Sequence, residues 1–501
     1  MVRWMANSSG FNTRGTAPAV RTNAACRLAF CRRAAAMTII GLCVLAFRGQ
    51  CRSEELPAHN ATVAIDCRTL RPFLGFGLNV WPELSRVQSL TDIVRLTNAN
   101  YIRWEMVPDL TDAPSSDLSP SAMAAWLERD TQITFRQKLS ANYQFYREMA
   151  AIVPFQVAFF MRPPPQWRQI GQHEGVQAQL SDDLDKGWKI ADDRIPAYAA
   201  LLVAELLVLQ EHGIQPFAVE LVNEPQGHFT PSQFAALVRI FAEIKLANGL
   251  TSIKIMGPGT SWISAAAPFL SAIGQSSGLD ALNIVSVHAW DSQGTNDVAH
   301  LKSPLTSSLA SDSAKPLYIT EFGLELQEWY RAPFDAGPRK RGGTRNAADS
   351  PLFAVKTLGQ AAALLNDGAS AVFYWQAQDQ GWWYDAWGLE DIRNVPRPIE
   401  DAFRFLFERV SNKDKIPHTE SSLSYLLSLD FLNAGRHSLF LVNSSTQALH
   451  VDISSQGCGV FSKVAAAAWP ANTEVSADKD SNSEVVVPVL PGNSIARLEI
   501  E

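Results

Sequence analysis

The feature that most constrains this 501-residue chain is a rhythm of short apolar runs separated by longer stretches of helical character. Between residues 73 and 410 the runs fall at 73–80, 101–106, 155–161, 217–222, 253–256, 284–288, 317–320 and 371–375. Runs that stay apolar throughout suit parallel strands buried on both faces. Helix punctuation lies between them. Thr230-Pro231 opens a segment that stops at Gly249, and Ser350-Pro351 opens one that stops before Gly368. A capping hydroxyl, a first-turn proline and a terminal glycine form the expected order of helix signals. Residues 195–212, rich in Ala and Leu, run up to Gly213. Eight strands with helices between them predict a (β/α)8 TIM barrel, a fold of about 250 residues before insertions.

The pattern changes after a last helix at 399–410. Strand-like runs at 424–429, 438–442, 448–453, 462–469, 484–489 and 494–500 are separated by polar and Gly/Asn turns. Short strands at this spacing predict a C-terminal antiparallel β-sandwich. Residues 62–67 alternate like another strand, and this strand is expected to join the sandwich. The expected division is therefore a leader at 1–53, a sandwich strand within 54–72, a catalytic barrel at 73–411 and the sandwich at 412–501.

Residues 1–53 hold eight Arg, and the first acid is Glu54. After Arg32-Arg33 comes an apolar run at 34–47, about right for a secretory signal and short for a membrane span of about 20 residues. The segment reads as a signal peptide or an uncleaved N-terminal anchor, and the chain as secreted, periplasmic or cell-envelope. Four of the six Cys lie in or beside it, which leaves Cys67 and Cys458. These are expected either to bridge the N-terminal strand to the sandwich or to stay as two buried thiols. Asn60 and Asn443 begin glycosylation sequons that matter only in a eukaryotic secretory host. The net charge of -7 argues against a nucleic-acid partner.

Active sites of such barrels lie at the C-terminal ends of the strands. The fourth run ends in Asn223-Glu224-Pro225 and the seventh in Glu321-Phe322-Gly323. Two carboxylates on opposite sides of the barrel mouth suit the cleavage of a glycosidic bond. One must be protonated to donate to the leaving oxygen, and the other ionised to attack the anomeric carbon. Other strand ends carry Trp81, Arg103, His288, Trp290 and Trp375, while Trp382, Trp383 and Trp387 follow in one loop. Aromatic faces pack against the C–H faces of sugars, so the partner expected is a carbohydrate.

These two motifs resemble the retaining glycoside hydrolases of clan A. The resemblance implies Glu224 as acid/base, Glu321 as nucleophile and Asn223 on the sugar 2-hydroxyl. It further implies that Arg103 orients the nucleophile and that Trp375 forms the floor beneath the sugar. His288, Trp290 and Trp81 are expected at the rim of the same pocket. The strand at 63–66 and Gly75-Phe76-Gly77 resemble the barrel entry of families 30 and 39, and family 5-like members are also similar. Residues 387–391 resemble the stretch before the last helix in several clan members. Two other readings share these residues: a transglycosylase, and an inactive barrel that only binds carbohydrate.

No cofactor or catalytic metal is expected, because neither H-E-x-x-H nor a spaced Cys/His cluster occurs. Gly274 to Gly278 fits G-x-S-x-G but does not follow a strand, so no nucleophile elbow is expected. The basic run at 331–345 reads as a solvated loop or as a guide for an acidic sugar.

Overall fold

The structure, a computed structural model, describes residues 59–81, 86–106, 114, 117–129, 133–160, 163–170, 188–276, 278–290, 315–324, 347–379, 387–471, 473–479 and 485–501. The leader, Trp382, Trp383 and the run 331–345 lie outside them.

The chain enters through β1 (His59–Pro72), which belongs to the C-terminal sheet, and then starts the barrel. Its strands are β2 (Gly75–Val80), β3 (Tyr101–Glu105), β4 (Phe155–Phe159), β7 (Ala218–Glu220), β8 (Lys254–Thr260), β9 (Ile284–His288), β10 (Leu317–Phe322) and β11 (Ala371–Tyr374). They pair in parallel, and β11 returns to β2 to close the barrel. A short antiparallel pair, β5 (Arg168–Ile170) and β6 (Trp188–Ile190), lies between β4 and β7. Each apolar run of the sequence contains or overlaps one barrel strand.

Helices α1 (Val87–Leu96), α2 (Pro120–Leu127), α3 (Ile133–Ala150), α4 (Ile195–Glu211), α5 (Pro231–Ala247), α6 (Ala266–Gln275), α7 (Pro351–Asn366) and α8 (Pro398–Phe407) accompany the strands. Their ends follow the sequence signals. Thr230 Oγ1 accepts from Gln233 N while Gln233 Oε1 accepts from Thr230 N, a reciprocal cap that satisfies two free donors. Ser350 Oγ accepts from Leu352 N at the start of α7. Outside the barrel, Phe76 stacks on Phe403 and Phe407 of α8, with centroids 4.8 and 4.4 Å away.

Period-two alternation sorts the barrel interior by height. The lower level is apolar: Tyr101, Val157, Ala218, Met256, Ile284, Tyr318, Ala371 and Phe373 form one cluster. Two residues nearer the C-terminal end, Arg103, Glu220, Ser286 and Thr320 replace them, and all four are buried. The polar end of the barrel is thus written into the strands themselves.

The second β unit corrects one expectation. Its nine strands hydrogen-bond in a single order and are not purely antiparallel. They are β1, β12 (Lys415–Ser421), β13 (Leu426–Asn433), β14 (Arg436–Asn443), β15 (Leu449–Gln456), β16 (Val464–Trp469), β17 (Asp478–Lys479), β18 (Val485–Leu490) and β19 (Ser494–Ile500). β1 pairs antiparallel with β12 and parallel with β15. Residues from β1, β14, β15, β18 and β19 share one apolar core, so two parts of the sheet face each other as in a sandwich. β12 was not expected, because Pro417 hides it; this residue pairs with Leu70 just past a bulge in β1, where a missing N–H is tolerated. Cys67 and Cys458 form a disulfide with Cα atoms 5.1 Å apart. Asn443 is buried and donates to the carbonyls of Gln447, Leu490 and Pro491, which leaves it closed to glycosylation.

Candidate active site

Arg103 organises the polar end of the barrel. Buried on β3, it must satisfy five N–H groups without water. Nε and Nη2 donate to Glu220 Oε2 at 3.0 and 2.6 Å. Nη1 donates to Asn79 Oδ1 at 2.8 Å and to Glu321 Oε1 at 2.7 Å, and Nη2 also reaches Asn223 Oδ1 at 2.7 Å. The guanidinium lies over the Phe159 ring, 3.9 Å from its centroid. These contacts bring together groups from strands one, two, three, four and seven of the barrel.

Glu220 is the member that sequence reasoning missed. Its other oxygen accepts from Ser286 Oγ and from Thr320 Oγ1. Burial alone would raise its pKa; Arg103 and His288 outweigh that and hold it far below the usual carboxylate range. A Cβ on Gly259 would lie 2.6 Å from Glu220 Oε1, and Gly259 itself has φ +65°, so both space and conformation require glycine there. The signal in the sequence was a lone acid inside an otherwise apolar run.

A bulge places Glu321. The register of β10 slips between Ile319 and Glu321, so Glu321 pairs with His288. The extra residue lets Thr320 and Glu321 both reach inward, where strict alternation would send one of them out. Glu321 Oε2 accepts from Trp290 Nε1 at 3.0 Å while Oε1 takes the Arg103 hydrogen bond. Its side chain is only 6% exposed.

Glu224 is held differently. Its backbone is left-handed (φ 52°, ψ 58°), an uncommon state for a residue with a side chain, and its N–H is tied to Gly259 O at 2.9 Å. Its side chain is 36% exposed. His288 Nδ1 lies 3.1 Å from Glu224 Oε1 and 3.4 Å from Glu321 Oε2. Burial and Arg103 work against a charge on His288, but Glu321, Glu220 and Glu224 prevail and raise its pKa to about 9. For Glu224, burial is outweighed by the hydrogen bond and charge of His288, which lower its pKa. A proton therefore resides on the imidazole between two carboxylates.

One oxygen of Glu224, one of Glu321 and a His288 ring nitrogen all lie within 4.8 Å of one another. That spacing would also suit a cation, but Arg103 already supplies positive charge 2.7 Å from Glu321. Around the pair stand the tryptophans. Trp290 and Trp387 meet edge to face at 5.9 Å, and Trp81 and Trp375 do so at 6.0 Å. Trp81 Nε1 donates to Gln376 Oε1, and Trp387 Nε1 to Leu324 O. Of the expected residues, Arg103, Asn223, Glu224, His288, Trp290 and Glu321 form one bonded network. Trp81 and Trp375 stand at the same end of the barrel as a second pair. Cys67 and Cys458 lie apart, on β1 and just after β15.

No protein-family model matches the chain, and no curated protein matches it in sequence. Solved structures do match its fold. The family 30 endoxylanase from Clostridium papyrosolvens C71 aligns with TM-score 0.62 and 15% identity over 88% of this chain and 100% of that one. An endo-β-1,6-glucanase aligns with TM-score 0.59 and 14% identity over 87% and 93%. A family 39 glycoside hydrolase from the gut symbiont Bacteroides cellulosilyticus WH2 aligns with TM-score 0.53 and 14% identity over 86% and 81%. These structural neighbours are glycoside hydrolases, the group that the two glutamate motifs resemble, and what they share with this chain is the fold.

Proposed function

We propose that this chain is a retaining glycoside hydrolase that cleaves β-glycosidic bonds of oligo- or polysaccharides. The observation that carries the reading is the approach of Glu224 and Glu321, one carboxylate oxygen of each lying within 4.8 Å of the other. Retaining enzymes hold their carboxyl groups about 5–5.5 Å apart, whereas inverting ones need about 6.5–9.5 Å to admit a water.

The surroundings support this division of roles. Glu321 accepts hydrogen bonds at both oxygens and stands beside Arg103, an arrangement for a carboxylate that attacks the anomeric carbon. Glu224 faces the open side and shares a proton with His288 across 3.1 Å. As the glycosidic bond breaks, that proton passes through Glu224 to the leaving oxygen, and Glu321 becomes bonded to the sugar. Water then attacks the anomeric carbon, loses its proton to Glu224 and frees Glu321. Asn223 gives its oxygen to Arg103, which turns its amide N–H groups toward a sugar hydroxyl. The tryptophan pairs supply apolar faces for the ring. Export belongs to the same reading, supported by the basic and apolar leader and by the disulfide.

A panel of 2-deoxy-2-fluoro aryl β-glycosides tests the mechanism and the sugar together. One member should inactivate the enzyme and add one glycosyl mass to the peptide containing Glu321. Turnover of the parent glycoside with inversion at the anomeric carbon, seen by NMR, would overturn it.

A further inference from the structure

The sheet holds a second convergence of ligand-type side chains, outside the barrel. The sulfurs of Cys67 and Cys458 and a ring nitrogen of His437 all lie within 4.8 Å of one another. His437, on β14, is buried, and its Nδ1 is 2.6 Å from Oδ2 of buried Asp430 on β13. That contact holds the ring through Nδ1 and leaves Nε2 as the nitrogen for a ligand. The Phe461 ring packs edge-on against the imidazole at 5.4 Å.

We infer that Cys67, Cys458 and His437 are the protein ligands of a soft divalent-metal site, of the Zn2+ class, which forms when the disulfide is reduced. Two thiolates and one imidazole are a ligand set that Zn2+ takes in tetrahedral geometry, with bonds of about 2.3 Å to sulfur and about 2.0–2.1 Å to nitrogen. Ligand atoms in such a shell stand about 3.4–3.8 Å apart, so metal entry requires the two sulfurs to part once their bond is cut and to close on the histidine nitrogen. A carboxylate behind the histidine is the usual outer support of a zinc-bound imidazole, and Asp430 occupies that place. Cys458 has room to adjust, since it is partly buried and flanked by Gly457 and Gly459 at φ +74° and +88°. Water completes the fourth position.

A dithiol reductant supplies two electrons and two protons, and itself becomes a disulfide. The two thiols formed then release their protons as Zn2+ binds the thiolates. The end of β1 thus stays tied to the segment after β15 in both redox states, by a covalent bond in one and by a metal in the other.

The test uses the full-length protein, reduced with a phosphine and titrated with Co2+ and then Zn2+. The reduced native chain should bind one equivalent more than Cys67→Ser, with thiolate-to-Co2+ charge-transfer bands, and oxidation should abolish that equivalent. The leader cysteines are common to both proteins and cancel. His437→Gln should weaken the site at least about 10-fold. Equal uptake by native and Cys67→Ser, or unchanged affinity in His437→Gln, overturns the inference. Should reduction melt the sheet, recovery of its circular dichroism by Zn2+ in the native chain, but not in Cys67→Ser, supports the metal site. Failure of that recovery overturns the inference.

Discussion

Glu220 takes two of the five N–H groups of Arg103 and so fixes which edge of the guanidinium faces Glu321. Both side chains of this ion pair are fully buried. Removing one partner of such a pair strands the other charge, at a cost of about 3–5 kcal/mol. Glu220→Gln is therefore expected to destabilise the fold by that amount in urea unfolding. Glu321→Gln should cost less, since Arg103 keeps Glu220. Equal losses would mean that Glu220 is not the principal partner of Arg103.

Glu321→Ala should abolish turnover while the barrel stays folded. Azide, as a small external nucleophile, should partly restore cleavage of an activated aryl glycoside and give the glycosyl azide of inverted configuration. Full activity without azide would remove Glu321 from the nucleophile role.

Glu224→Gln should cut kcat by about 10²–10⁴ for substrates with poor leaving groups, the usual range for losing a general acid. Aglycones that leave without protonation should be much less affected in the glycosylation step. A uniform loss across a leaving-group series would contradict the acid role.

His288 is expected to set the alkaline limit of activity. Its pKa, raised to about 9, lies above the ordinary value of 6.5, so the folded protein holds the proton through the interval between them. The stability it contributes is full below about pH 6.5 and is lost as pH rises through about 9. The profile of kcat/KM on an unactivated glycoside should fall on the alkaline side near pH 9. His288→Asn should move that limb down by at least about one unit. An unmoved limb would place the shared proton elsewhere.

Glu205 on α4 makes an independent pH prediction. It is buried, its Oε2 has no hydrogen-bond partner among the described residues, and burial raises its pKa to about 8. The folded chain therefore keeps this carboxyl neutral where the unfolded chain ionises it. Its contribution to stability is full below about pH 4.5 and lost as pH rises through about 8. Glu205→Gln should leave stability at pH 4 nearly unchanged and raise it at pH 9 by about 1–3 kcal/mol, as measured by urea unfolding. A native-like decline with pH in the variant would refute this.

The barrel was legible because its strands are apolar on both faces and its helices carry Ser/Thr-Pro starts and glycine stops. The mouth residues were legible because a polar group that ends an apolar strand has few structural reasons to be there. The rest depended on register. Nothing local says that β10 bulges before Glu321, or that Glu220, Asn79, Ser286 and Thr320 meet around one arginine from four other strands. β8 was cut short at Met256 because Gly257, Pro258 and Gly259 read as breakers; the strand runs through them to Thr260, and Gly259 is there for Glu220. Pro417 concealed β12 for a similar reason.

The place of β1 between β12 and β15 has a consequence for how the chain is made and cut. A ribosome releases β1 hundreds of residues before either neighbour exists, so this strand waits with both edges unpaired while the barrel is synthesised. The C-terminal sheet can reach its native order only after nearly the whole polypeptide has emerged. For the same reason, a fragment beginning at residue 73 would carry two bare edges where β12 and β15 now meet β1, and such edges recruit strands from other molecules. β1 and the strands from β12 onward therefore complete one sheet, with the barrel strands lying between them in sequence.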